Sequence, residues 1–308
     1  MLDVPKGNLL VIRAPDAMGL SDFPNVTVEQ SFAPVFNRFE NTGIDVTPRA
    51  EGRFAMVMVN LTRSRPENLC NIARACEMSD GVVLVNGAKT DGIESLLKQV
   101  RKETTVEVIS KAHGKVFWFD ATPMPEAWLE AGKLAENQAG YLTAPGMFSH
   151  EKIDSGSALL APYLGGLKGR VADLGAGWGW LAAQAIGPEV EELVLFEAEQ
   201  KALDAARQNL DDPRVQFVWA DVLSLPKTPP FDAVISNPPF HQGRAAEPEL
   251  GVGFIQAAAK ILKPKGRFLM VANRQLPYEH ALDAAFRKWE ILAQTGGFKI
   301  FGASLPKR

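Results

Sequence analysis

From residue 169 onward the chain alternates short apolar runs with amphipathic stretches, and few backbone architectures accept that alternation. The segments 170–174, 193–197, 215–219, 231–236 and 267–272 are nearly continuous in apolar residues, the mark of strands buried on both faces of a parallel sheet. Parallel neighbours need crossover helices, so helices must cover both sides of such a sheet. WEILAQ and GFKIFGAS then flank Gly296 and Gly297 and predict a closing antiparallel hairpin. Five serial parallel strands plus a hairpin make an α/β sheet of seven mostly parallel strands.

The first strand runs into DLGAGWG, Asp173 to Gly179. Gly175, Gly177 and Gly179, with Ala176 between the first two, let the backbone turn tightly and approach a ligand, and the helix that follows offers free N–H groups. A dinucleotide fingerprint places its third glycine at 180, where this chain has Trp180. Alternate glycines after an acid suit a nucleoside with a charged amino-acid tail, Asp173 meeting an ammonium with no pyrophosphate to cradle. Glu197 ends the second strand twenty residues beyond Gly177, where a carboxylate accepts hydrogen bonds from ribose hydroxyls. Asp221 follows the third strand in WADV, placed to accept from an adenine amino group or to cap a helix.

The fourth strand ends in Asn237, Pro238, Pro239 and Phe240. Prolines cannot donate to a sheet ladder, and ligands of wound sheets sit beyond the carboxyl ends of the strands, so this donor-poor corner belongs beside the glycine loop. An amine on a conjugated group is a poor nucleophile because its lone pair is delocalised. If the Asn237 side-chain oxygen and the Pro238 carbonyl each take one N–H, the nitrogen is held with its lone pair turned towards an electrophile. Phe240 would stack on the flat substrate, and no base of unusual pKa is required. Adenine N6, guanine N2 and a glutamine side-chain amide all suit this corner.

Neighbouring segments narrow the choice. APGMFSHEKIDSGSALL (144–160), NPPFHQG (237–243), VANRQLPYEHAL (271–282) and AQTGGFKIF (293–301) together resemble the ribosomal RNA small-subunit guanine-N2 methyltransferase C family. The resemblance covers essentially the whole second half. It implies a class I methyltransferase fold, S-adenosylmethionine as cofactor and a guanine N2 of 16S ribosomal RNA, within the small subunit, as substrate. It also implies Phe148 at the pocket mouth. His241, with no carboxylate partner in sequence, reads as structural or substrate-contacting and not as a catalytic base, and Asn273 is a candidate substrate contact. A sister family acting on large-subunit RNA shares much of this pattern. The same chemistry on adenine N6 or a protein glutamine, and a non-catalytic RNA-binding or assembly protein, are the rival readings.

The first half is a faint copy. GRFAMVMVNLTR (52–63) aligns with PPFDAVISNPPF (229–240) at an offset of 177, so that Asn60 falls on Asn237. DGVVLVNGAK (80–89) echoes KGRFLMVANR (265–274), and GKVFWF (114–119) echoes FKIFGA. Leu61 and Thr62 replace the prolines, and NLLVIRAPDAMG (8–19) lacks the glycine series. The expectation is two tandem Rossmann-like class I methyltransferase domains. Residues 1–125 form a degenerate scaffold or RNA-binding domain and 126–308 the catalytic one, joined through a Pro- and Ala-rich linker with one short helix.

Net charge is −3, so RNA must be met by a local basic patch, for which Arg49, Arg53, Arg63, Arg65 and Arg74 are candidates. Cys70 and Cys76 have no His or second Cys pair nearby, which predicts reduced thiols and no metal site. Without a signal-peptide layout or a membrane-length apolar stretch, a cytoplasmic protein is expected.

Overall fold

The computed structural model describes residues 7–15, 19–20, 23, 25–111, 113–239 and 248–307. The chain divides into two compact units, residues 1–135 with 144–146, and residues 136–143 with 147–308.

The first unit runs β1 (Leu9–Ile12), β2 (Val26–Glu29), α1 (Ala33–Asn41), β3 (Asp45–Thr47), β4 (Phe54–Asn60), α2 (Arg65–Met78), β5 (Ser79–Ala88), α3 (Ile93–Val100), β6 (Glu107–Lys111), β7 (Gly114–Asp120) and α4 (Glu126–Glu130). Its seven-stranded sheet has the order β3-β2-β1-β4-β5-β7-β6. Helix α2 begins where Ser64 accepts the Glu67 amide, with proline in the first turn, a start that satisfies an orphan donor and loses none. Helix α4, the short helix expected in the linker, packs against α2, so residues 126–135 fold with the first unit.

The connecting segment holds two short strands, β8 (Ala135–Glu136) and β9 (Leu142–Thr143). The second unit continues with α5 (Ser155–Leu160), β10 (Gly169–Leu174), α6 (Trp180–Ala185), β11 (Val190–Glu197), α7 (Gln200–Asn209), β12 (Val215–Trp219), β13 (Phe231–Ser236), α8 (Pro248–Ile261), β14 (Leu262–Asn273), α9 (Glu279–Ala285), β15 (Phe286–Gln294) and β16 (Phe298–Pro306). Its order is β12-β11-β10-β13-β14-β16-β15. All five expected parallel strands are present, and β16 runs antiparallel to both β14 and β15. The two sheets therefore share one topology, strand for strand.

Alternate residues of β10 feed opposite faces. Ala172 and Leu174 join a core with Phe231, Phe268 and Phe254 of α8, while Val171 joins one with Leu195, Ile235 and Leu203 of α7. Burial on both sides explains why these strands read as continuous apolar runs. The strand order reverses at β10, whose neighbours are β11 and β13, and a crevice opens at such a switch point beyond the carboxyl ends.

The five arginines do not form one free cationic patch. Arg74 is buried and pairs bidentately with Glu29 at 2.8 Å on both nitrogens. Arg53 pairs with Asp80, and Arg65 donates to Gln99. Arg74 contributes to the fold of the first unit, since an unpaired charge at such depth would be costly. Cys76 is buried and Cys70 half-buried.

Candidate active site

The crevice beyond β10 and β13 is lined by Phe148, Asp154, Ser157, Gly175, Gly177 and Asn237, among others. The glycine loop builds its floor. Gly175, Gly177 and Gly179 all have positive φ, at 73°, 56° and 90°, a region L side chains rarely adopt. The Gly175 and Ala176 amides donate to the Phe196 carbonyl at 2.8 and 3.2 Å, tying the loop to β11. A Cβ on Gly177 would meet no protein atom within 4 Å, so it would project into open space. On Gly179 a Cβ would stand 2.9 Å from Leu210 and 3.2 Å from Ala206. That glycine lets α6 approach α7.

Asp173 lies at the end of β10, fully buried, and neither carboxylate oxygen has a hydrogen-bond partner among the described residues. Burial, reinforced by the nearby charge of Glu197, pushes its pKa up to about 8; the Ala182 amide offsets a little of this from outside hydrogen-bond geometry. Glu197 sits where expected, at the end of β11. Its Oε2 accepts the Gly177 amide at 2.7 Å and its Oε1 the Glu199 amide at 2.8 Å. Burial raises its pKa while those two amides oppose the rise. Each oxygen keeps a second lone pair for a hydroxyl donor.

Asn237 leaves β13 with both amide protons committed, to Asp154 Oδ2 at 2.9 Å and Ser157 Oγ at 2.8 Å. Its Oδ1 is buried and has no partner among the described residues. A buried acceptor left unmatched is costly, and at functional sites it marks a place kept for a ligand's donor. Phe148 is 57% exposed at the crevice. Its carbonyl accepts Trp178 Nε1 at 3.0 Å. Asp221 Oδ1 accepts the Leu223 amide and caps the 3-10 turn Val222–Ser224, leaving its second oxygen for an amine. Asn273 ends β14 at the same carboxyl edge, paired with Phe298. Phe240 and His241 lie outside the described residues.

Asp154, Ser157 and Trp178 escaped the sequence reading. The quoted segment 144–160 contains the first two, but nothing in their spacing tells that they meet a side chain some eighty residues away.

Register shows how the first unit lost its site. Ile12 pairs with Val59 and Glu29, as Leu174 pairs with Ser236 and Phe196, so Arg13 stands in the place of Gly175 and Gln30 in that of Glu197. Arg13 keeps the positive φ, at 56°. Its guanidinium binds Glu67 at 2.6 Å within the fold. Gln30 has no charge and holds the Ala14 carbonyl at 3.0 Å. Asn60 Oδ1 accepts from Asn86 at 2.9 Å. The acceptor that is free in Asn237 is spent here.

Among the described residues no group of three or more His, Cys, Asp or Glu could hold a metal ion, and no helix is long and apolar enough to cross a membrane.

A sheet in this strand order, closed by one reversed strand and opened at its centre around a glycine loop, is that of a class I S-adenosylmethionine-dependent methyltransferase. Residues 138–302 match the Methyltransferase small domain family. The cofactor's demands fit what the crevice offers: an unobstructed Gly177, the unpaired Asp173 carboxyl and Glu197 at the next strand end. The ribosomal RNA small subunit methyltransferase C of Serratia proteamaculans is 32% identical over 78% of this chain and 70% of its own length. That of Acinetobacter baumannii strain AYE is 28% identical over 98% of this chain and 96% of its own. The chain belongs to the ribosomal RNA small subunit methyltransferase C family. Its fold also matches a solved structure described as the T. thermophilus 16S rRNA N2 methyltransferase for guanine 1207, in complex with AdoMet and guanosine. The TM-score is 0.82 at 24% identity, covering 98% of this chain and 89% of that one.

Proposed function

We propose that this protein methylates the exocyclic N2 of a guanine in 16S ribosomal RNA, at the site equivalent to guanine 1207 named for the structural relative, and that it acts in the cytoplasm on the small subunit. One observation carries the reading: the Asn237 amide oxygen, buried in the crevice without a partner among the described residues while its own amide protons are held. S-adenosylmethionine supplies an electrophilic sulfonium methyl. The chain's residues bind and orient around it. Gly175, Ala176, Gly177 and Gly179 shape the cradle, Asp173 meets the ammonium, Glu197 the ribose and Asp221 the adenine.

Asn237 Oδ1 and the Pro238 carbonyl each accept one N–H of the guanine amine, and Pro239 stiffens the corner. Held this way, the nitrogen lone pair faces the methyl group, and the acceptors stabilise the positive charge that grows on nitrogen. The methylated amine is strongly acidic, so its proton leaves to water without a tuned base. Phe240 stacks on the base, with Phe148 at the mouth and His241 and Asn273 beside the nucleotide. Guanine N2 lies in the minor groove of a duplex, so the base must be unpaired or flipped out to reach this corner.

The catalytic role is assigned to the second unit, residues 136–143 with 147–308, rather than to 126–308 as the sequence suggested, and a scaffold or RNA-contacting role to the first unit. Mass mapping of methylated guanines in ribosomal RNA from a strain lacking this gene tests the assignment. One 16S guanine should lose its N2 methyl and regain it with the intact gene; a change confined to large-subunit RNA would overturn it.

A further inference from the structure

We infer that Asp154 and Ser157 are positioning residues for methyl transfer, fixing Asn237 so that it presents an acceptor to the target amine. The inference rests on the acceptor role proposed for Asn237 and assigns the residues that enforce it.

A primary amide has two faces of opposite character, and a half-turn about its last bond exchanges them. Asn237 facing the amine with its NH2 would set donor against donor and leave the nitrogen free to point anywhere. Asp154 decides the sense. Ionised, a carboxylate can only accept, so the Asn237 nitrogen must face it, and Oδ2 accepts that nitrogen at 2.9 Å. The second amide proton goes to Ser157 Oγ at 2.8 Å. With both protons held, the remaining atom of the amide is the oxygen, which has no partner among the described residues, and all three side chains line the same crevice.

The clamp is itself rigid. Asp154 is the N-cap of α5, and the oxygen that takes Asn237 also accepts the Ser157 amide at 2.8 Å. One helix start thus orders the carboxylate and delivers the serine three residues on. The turn between them is tight: a Cβ on Gly156 would lie 3.0 Å from Asp154 Oδ2 and 3.1 Å from the Phe298 ring, so a side chain there would push on the carboxylate. The carboxylate also polarises the amide through its N–H, which makes Oδ1 a better acceptor as charge develops on the substrate nitrogen. Asn60 shows the alternative, an amide whose oxygen is taken by Asn86.

The test is a double-mutant cycle on the intact enzyme, with small subunits from a strain lacking the gene and S-adenosylmethionine as substrates. Asn237→Ala alone should slow turnover on the order of 10²–10³-fold. Asp154→Ala should slow it less, roughly ten- to a hundredfold, with cofactor affinity from calorimetry little changed. Asp154→Asn, which keeps an acceptor, should recover most of the loss. Asp154→Ser keeps a capping oxygen but not the reach to Asn237, and should stay as slow as Asp154→Ala, which separates clamping from helix stability. Combined with Asn237→Ala, Asp154→Ala should add almost nothing. Full additivity, or normal turnover in both Asp154→Ala and Asp154→Ser, would overturn the clamp while leaving the acceptor standing. Normal turnover in Asn237→Ala itself would overturn the acceptor reading beneath it.

Discussion

Asn60 and Asn237 occupy the same position in two sheets of identical strand order, yet of the two only Asn237 has an amide oxygen without a partner among the described residues; that of Asn60 is bonded to Asn86 at 2.9 Å. One fold has been used twice, once with its acceptor satisfied internally and once with it held open. Asn237→Ala should leave cofactor binding intact and cut turnover on the order of 10²–10³-fold. Asn60→Ala should cost stability by about 1–3 kcal/mol, since buried partners lose their bonds, and leave turnover unchanged once folded. Paired denaturation and single-turnover measurements separate the two.

The glycines of the loop divide by role. Gly177→Val should abolish cofactor binding; its side chain enters open space, so the only cost to the fold is the backbone strain of a branched residue at φ 56°, without the added clash met at Gly179. Gly179→Val should destabilise the protein itself, as its Cβ meets Leu210 and the backbone there has φ 90°. Calorimetry with S-adenosylmethionine beside thermal unfolding of each variant checks this. Equal affinity of Gly177→Val and the parent would remove the loop from the site.

Asp173 should make stability depend on pH. In the unfolded chain an aspartate titrates at about 3.9; in the fold it holds its proton until about 8. Between those values the folded state binds more protons. The stabilisation is whole below the lower value, declines as pH rises and is lost through the upper one. Asp173→Asn should flatten that slope in denaturation curves recorded from pH 5 to 9. If a cofactor ammonium meets the carboxylate, binding to the parent near pH 7 should release a proton, seen as a buffer-dependent heat that Asp173→Asn lacks.

Arg74→Ala should remove the cation beside Glu29, whose side chain is only 6% exposed and would keep the Ala50 amide as a donor. Removing one partner of a buried pair costs roughly 3–5 kcal/mol, so the midpoint of unfolding should fall sharply. Methyl transfer by the fraction still folded should be normal. A loss of RNA affinity without a loss of stability would show that Arg74 serves the RNA surface after all.

Much of the fold was legible because its strands are buried on both faces: Val171 to Leu174 and Phe231 to Ile235 leave little doubt about a central sheet. The repeat was legible because a shared topology preserves which residues point inward, even where Arg13 has replaced a glycine. Glu197 was readable from its distance to Gly177, since both are set by one strand–helix–strand unit. Asp154 was not, because its partner Asn237 lies 83 residues away and a capping aspartate looks the same whether or not it holds another side chain. Asp221 shows the opposite limit: cap and ligand acceptor share one residue, and the cap at Leu223 is compatible with both. Arg74 stood among the candidate RNA contacts because its partner, Glu29, comes from a strand 45 residues earlier and cannot be read from the helix alone.

The most direct test compares methylation of small subunits, large subunits and a short guanine-containing oligonucleotide under one salt condition, with substrates from cells lacking the enzyme. The chain is acidic overall, so it should need a shaped ribonucleoprotein surface around the flipped base: rapid N2 methylation of small subunits, little of large subunits and very little of the oligomer. Equal rates on all three, or a preference for large subunits, would contradict the account.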